Sequence, residues 1–430
     1  MIDWLLNLRI EQFSFLLTVG ALSIAGALYL LIRKPTKQWA LTAGLALAIG
    51  GAFGYLAAWF AGDVLNLFGV ALTPSQQGWV ALTFAGIALA VVNLWRSRWW
   101  RKVVAIVSVP LVLITGAAFI NSDIGYYSNV SDALGINPYH DGTLGYETGD
   151  PGAKNLQVPK DWQPPASMPA TGKVVSMTIP ATVSHFAARK AVIYLPPAAL
   201  VPNPPVLPVL IMMSGQPGSP SDQFTAGHIN EYMDTFAAAH KGMAPIVISP
   251  DQLGPNEGNP MCVDSPLGNS ATYVTVDVVN WIKSHLRVGT DRSAWAVGGF
   301  SQGATCAMQF MSGHPKMFGS VLAISSEIGP TIGPDTVQEG FGGSQAAYNA
   351  AMPISLMQKN GPFTDTVASF AVGQDDLQYK AWAYQLSAAA RQAGMNTALY
   401  VSPGTAHDWF TVAYGIKMGF PRIAEHMGLG

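Results

Sequence analysis

The sequence predicts an α/β protein: a mostly parallel sheet with helices on both faces, preceded by a four-helix transmembrane region. Three observations carry that prediction. Four long apolar runs stand within the first 120 residues. From Gly172 onward, short apolar runs alternate with longer helical patterns, as in a parallel sheet covered on both sides. One of those runs ends in Gly298-Gly299-Phe300-Ser301-Gln302-Gly303, a serine set between glycines where a strand gives way to a helix.

Composition agrees with this division. The 430 residues are enough for two or three domains. Only 11% are charged and the mean hydropathy is +0.27, so part of the chain is expected in lipid. A net charge of -2 gives no reason to expect nucleic acid or another polyanion as partner. Two cysteines exclude a disulfide-dense scaffold and a multi-cysteine metal site, and no cofactor is implied.

The apolar runs are 13–32, 39–60, 79–95 and 103–120. Each approaches the ~20 residues that span ~30 Å of hydrocarbon. None contains Asp, Glu, Lys, Arg or His, which argues for an anchor and against an ion path. No basic region immediately precedes Phe13 and a second run follows at once, so the first reads as a span and not as a cleaved leader. Arg33, Lys34 and Lys37 lie between the first two runs, and Arg96, Arg98, Arg101 and Lys102 between the last two. The intervening 61–78 loop has no Lys or Arg. The positive-inside rule then puts both basic loops in the cytoplasm and everything after Ile120 outside. Trp39, Trp59, Trp79, Trp95, Trp99 and Trp100 sit at span ends, as an interfacial belt does. The expected organisation is 1–120 transmembrane, 121–171 extracytoplasmic linker and 172–430 a catalytic domain. Tyr126, Tyr127, Tyr139 and Tyr146 are candidate contact residues of the linker.

Expected strands are 174–179, 191–195, 206–213, 244–249, 294–297, 321–325, 368–372 and 397–401. Pro208 has no N–H to give a ladder, so pairing of the third should begin near Val209. Expected helices include 272–286 and 381–393. In such sheets the site forms at the carboxyl ends of the strands.

Strand, Gly-x-Ser-x-Gly, helix is the nucleophile-elbow signature. The tight turn pushes Ser301 out over the sheet edge, and the helix N-terminus offers free N–H groups to an oxyanion. A serine hydroxyl needs a base, and the base needs a carboxylate to fix its tautomer. After the strand 368–372 come Asp375 and Asp376, and after 397–401 comes His407. The order Ser, Asp, His is that of the α/β-hydrolase arrangement. The two aspartates compete for one role. His185, His228, His240, His285, His314 and His426 fall in early loops, predicted helices or the tail, and Asp408 reads as a helix cap. Oxyanion donors are expected from the Gln302 N–H and from the loop Ser214-Gly215-Gln216-Pro217-Gly218, with Gln216 preferred over Gly215. Cys262 and Cys306 form a candidate disulfide, permitted outside the cytoplasm.

Residues 172–430 resemble the esterase D / putative esterase branch of the α/β-hydrolases, which includes antigen 85 mycolyltransferases and feruloyl esterases. The matching pieces are Ala191-Val192-Ile193-Tyr194-Leu195-Pro196-Pro197, the Ser214-Gly215 loop, Gly299-Phe300-Ser301-Gln302-Gly303, Gly373-Gln374-Asp375-Asp376 and Pro403-Gly404-Thr405-Ala406-His407-Asp408-Trp409. The resemblance implies Asp376 as the acid. It does not extend to the spans, and Gln302 stands where the branch commonly has Met. The expected activity is a membrane-anchored serine esterase acting on a lipidic or cell-envelope ester. The alternatives are an acyltransferase moving the acyl group to a sugar or lipid hydroxyl, and a non-catalytic binding module on the same fold. Residues 329–353, rich in Gly and Ala, are a candidate lid or acyl-pocket wall, or else an ordinary surface loop.

Overall fold

The computed structural model describes all residues except Met1, Pro35, Asn66, Phe68, 145–148, 151–152 and 256–257, and the side chains of Ile2 and Asp3. Tyr146 therefore lies outside the described residues. The chain divides into two compact units, Met1–Ile136 and Asn137–Gly430.

The first unit contains the helices Phe13–Leu31, Lys37–Trp59, Pro74–Val92 and Trp99–Ile124, the second running on through a π-helical turn at Phe60–Val64. All four are long and apolar enough to cross a membrane. Leu17, Ile24, Leu41, Ile49 and Ile106 are exposed on their outer faces, apolar surface of the kind that lipid covers. Packing between helices rests on small residues. A Cβ at Gly50 would lie 2.6 Å from the Phe84 carbonyl, and one at Gly54 would lie 2.8 Å from that of Val80.

The helix ends differ from the apolar runs. The third helix starts at Pro74, before Trp79, because Thr73 and Gln76 form a capping box. It ends at Val92, and the Asn93 amide donates to the Leu89 carbonyl (2.9 Å). The fourth takes in Arg101 and Lys102, read from sequence as loop, and runs four residues into the expected linker before Gly125 ends it at φ 69°. Arg101 donates to the Ile32 carbonyl (2.7 Å), one of the free acceptors at the end of the first helix.

The second unit is built on one eight-stranded sheet: β1 (Lys173–Met177), β2 (Ala191–Leu195), β3 (Val209–Met213), β4 (Ile246–Ser249), β5 (Trp295–Phe300), β6 (Ser320–Ile324), β7 (Val367–Gly373) and β8 (Asn396–Ser402). Their spatial order is β1-β2-β4-β3-β5-β6-β7-β8. β2 pairs antiparallel with β1 and β4, and every other pairing is parallel. β2 to β7 are buried along their whole length, which is why β2 and β3 read as unbroken apolar runs. β3 pairs from Val209, and Pro208 contributes only its carbonyl, accepting from Ile246 N–H (2.9 Å). β5 is longer than its apolar run. Gly298 and Gly299 stay in the ladder opposite Leu322 and Ala323, because the chains approach too closely there for a side chain.

Two further differences stand out. The expected helix 272–286 is three pieces: a turn at Ser270–Thr272, a π-helical segment Tyr273–Val278 and an α-helix Val279–His285. In the middle piece Asp277 faces Thr182, Val183 and Ser184, whose N–H and O–H groups hold its carboxyl below the usual range although burial opposes this. The stretch from Asn137 is laid along the second unit: the Ser176 N–H donates to the His140 carbonyl (3.1 Å) and the Thr290 N–H to that of Leu156 (2.9 Å).

Candidate active site

The glycines around Ser301 are required by contact distances. A Cβ on Gly299 would lie 2.4 Å from the Gly303 carbonyl carbon and oxygen, and one on Gly303 would lie 2.4 Å from the carbonyls of Met213 and Ser214. All are backbone atoms with nowhere to go. The turn puts Ser301 at φ 55°, ψ -123°, a conformation costly for a residue with a Cβ. The helix Gln302–Gly313 begins directly after it. Ser301 itself is 8% exposed.

His407 follows β8 and its imidazole is held on several sides. Its Nδ1 is 2.7 Å from Asp376 Oδ2, and the two side chains are only 12% and 6% exposed. Its ring stacks on Phe300, the residue before the serine (4.7 Å between centroids), and meets Tyr379 on another side (4.1 Å). The two aspartates differ in place: Asp376 is buried against His407 and Asp375 is exposed. Close packing of the two loops depends on Gly373, where a Cβ would lie 2.2 Å from the Ala406 carbonyl oxygen. Asp408 caps the helix Trp409–Ala424, accepting from the N–H groups of Thr411 (2.8 Å) and Ala406 (2.7 Å). Burial nonetheless raises its carboxyl above the ordinary range. Among the other histidines, His426 bonds Ser320 at the opposite end of β6, and His228 pairs with Glu231.

The loop after β3 passes close over the serine. A Cβ on Gly215 would lie 3.3 Å from that of Ser301. Gln216 follows, joined to Pro217 by a cis peptide bond. The loop is held by its neighbours: Gln252 Nε2 donates to the Ser214 carbonyl (2.7 Å) and Arg189 to that of Gly218 (2.9 Å), while Arg189 also pairs with the fully buried Asp251 (2.8 Å). The Gln302 side chain lies in the same network, accepting from Gln252 (3.1 Å) and donating to Asn259 (3.1 Å). Cys262 Sγ is bonded to Cys306 Sγ, fastening the 259–264 loop to the elbow helix.

Several of these residues escaped the sequence reading. Tyr379 lies one turn after Asp376, and its ring is the one packed against His407. Burial, with the nearby Glu327 second, raises its ionisation well above the ordinary tyrosine value. Glu327 stands just beyond the carboxyl end of β6, a position the strand-end rule marks out. Thr305 Oγ1, one turn into the elbow helix, lies 3.1 Å from Glu327 Oε2 and 3.2 Å from the Ser301 carbonyl. Burial pushes the Glu327 carboxyl up to about 7, against the lowering effect of the Thr305 hydroxyl.

A strained serine over the end of a central strand, beside a histidine paired with a buried carboxylate, is what acyl transfer requires. A family profile described as "Putative esterase" matches residues 187–409, just over half the chain. The chain belongs to this esterase family. An uncharacterised protein of Corynebacterium glutamicum is 33% identical over 375 residues, covering 83% of this chain and 84% of its own. That match is too long to be confined to Asn137–Gly430, so it takes in part of the apolar helices. A solved ferulic acid esterase shares the fold at a TM-score of 0.51 and 20% identity, with 60% of this chain and 99% of that protein covered. An S-formylglutathione hydrolase from Agrobacterium tumefaciens aligns at 0.49 and 19%, with 60% and 97% covered. The esterase is thus an α/β-hydrolase enzyme with four apolar helices ahead of its catalytic fold.

Proposed function

We propose that the esterase uses Ser301, His407 and Asp376 as its catalytic triad and acts outside the cytoplasm on a lipidic or cell-envelope ester, anchored by its four helices. The observation that carries this reading is the 2.7 Å His407–Asp376 pair set against the elbow residue Phe300. Ser301 Oγ attacks the ester carbonyl carbon while His407 Nε2 takes the hydroxyl proton. Asp376 holds the other ring nitrogen protonated and stabilises the imidazolium. The oxyanion is received by the backbone N–H of Gln302 and, across the cleft, that of Gln216. The carbonyl–alcohol bond then breaks as Nε2 returns its proton to the leaving oxygen. A water repeats the sequence and frees the acid. No step calls for a cofactor.

The orientation is supported by the basic residues flanking the first and second helices and the third and fourth, and by a disulfide that an oxidising compartment would preserve. Four ~20-residue helices with outward-facing apolar side chains support an anchor, and an enzyme held at a bilayer meets lipidic esters at high local concentration. The test is labelling of the full-length protein in membranes by a fluorophosphonate probe. Labelling should be lost in Ser301→Ala, and absence of labelling in the intact protein would favour the non-catalytic reading. Adding an alcohol acceptor to a turnover assay then separates acyl transfer from hydrolysis by the product formed.

A further inference from the structure

One carboxyl beside the nucleophile is left over once the triad is assigned. Glu327 has a single hydrogen-bond partner for its carboxyl among the described residues, Thr305, and forms no salt bridge there. Its second oxygen has no hydrogen-bond partner among the described residues and is not sealed from solvent. A carboxyl group offers about four acceptor positions, so most are open to a ligand. Two hydroxylated, uncharged groups stand on its side of the serine: Thr305 on the elbow helix, bonded to it, and Tyr379 on the helix Leu377–Gln392, whose ring packs on His407 and whose ionisation is raised in part by the Glu327 charge.

Its place in the sheet order says which part of a substrate it meets. Ser301 follows β5. The oxyanion loop follows β3, on one side, while Glu327 follows β6 and Asp376 follows β7, on the other. Tyr379 stands on this second side as well, its ring against His407 (4.1 Å). The leaving alcohol takes its proton from His407, so it lies on that side too.

We propose that Glu327, with Tyr379, forms a subsite for free hydroxyl groups on the alcohol portion of the ester. This rests on the triad reading above. Hydroxyls of a polyol monoester can donate to the open carboxyl oxygen and accept from the Tyr379 hydroxyl. A plain alkyl alcohol leaves the carboxyl desolvated and unpaired, and an anionic headgroup is repelled by it. Selectivity built on such a group exceeds what an apolar pocket gives, because the wrong substrate leaves a buried polar group unsatisfied.

The test compares 1-butyrylglycerol with propyl butyrate, esters that differ only in two hydroxyls, using the full-length protein in detergent micelles. The readout is the ratio of their kcat/KM values, from which the fraction of folded enzyme cancels. The wild type should favour the glycerol ester by about tenfold, the worth of one or two hydrogen bonds. Glu327→Leu should bring the ratio to near one, and Glu327→Gln should keep most of it because an amide still pairs with hydroxyls. A wild-type ratio near one, or a Glu327→Leu ratio equal to that of the wild type, overturns the subsite. Fluorophosphonate labelling of Ser301 separates the two ideas: labelling without hydroxyl preference overturns the subsite alone, and no labelling overturns the triad reading with it.

Discussion

Replacing Asp376 with asparagine tests the proposed triad at its most buried contact. The carboxylate lies 2.7 Å from His407 Nδ1. With an effective dielectric of ~20, a full imidazolium–carboxylate pair at that distance is worth about 6 kcal/mol. At ~1.36 kcal/mol per decade this is a loss of about 10⁴ in kcat. The amide adds a second effect in the same direction: turned with its NH₂ toward Nδ1, it favours the tautomer that carries its proton on Nε2 and cannot accept one from Ser301. Asp375 is the internal control. It is exposed, so Asp375→Asn should change turnover by no more than about twofold. The assay is steady-state turnover of p-nitrophenyl butyrate with the rate of fluorophosphonate labelling beside it, both variants being checked by thermal melting. Retention of a tenth or more of wild-type turnover by Asp376→Asn, or its collapse in Asp375→Asn, would refute the assignment.

Three further outcomes follow from contacts described above. Removing the Cys262–Cys306 bridge by a double Ser substitution frees a loop of 44 residues. In the chain-entropy account this costs about 4 kcal/mol, read as a lower melting temperature that reductant reproduces in the wild type only. Gly303→Ala sets a Cβ 2.4 Å from two backbone carbonyls and should cost about 3 kcal/mol or fail to fold, by the same melting assay. Glu327 gives a pH dependence with a definite sign. Burial moves its carboxyl from an ordinary 4.5 to about 7, so between those values the folded chain holds a proton the unfolded chain has released. The associated stability is present below 4.5 and is lost as pH rises through 7. It is at most about 3 kcal/mol and is reduced by partial solvent access. Melting of Glu327→Gln should gain on the wild type from pH 5 to pH 8; a constant difference would contradict the shifted carboxyl.

Patterns confined to a few neighbouring residues could be read from the sequence. The unbroken apolar run of β3 marked a strand covered on both faces, Pro208 marked where pairing starts, and the glycines at 299 and 303 marked the elbow. Boundaries set by a cap or a close approach could not be read from hydropathy. The third membrane helix begins at a capping box, and β5 runs on through two glycines that no apolar pattern includes. The segment 329–353, open between lid and plain loop, holds a π-helical turn at Thr336–Gly340 and the helix Gln345–Ala351. Of the candidate site, chain order picked out Ser301, Asp376 and His407, and the structure pairs Asp376 with His407 and sets His407 against Phe300 beside the serine. Partners that come from distant loops could not be read. Gln252 and Asn259 reach Gln302 across 50 and 43 residues, and Glu327 meets Thr305 across 22.

The absence of free space at Gly299 and Gly303 bears on how such an enzyme can change over generations. Where three backbone segments meet with no room for a methyl group, the seat of Ser301 is closed to drift, and a tolerated change there has to keep glycine. Novelty must enter from the rim: from the loop over Ser301, from Asn259, and from the side chains beyond β6 and β7. A library that varies Gln216, Asn259, Glu327 and Tyr379 while leaving the seat intact samples the part of this site that natural variation is free to explore.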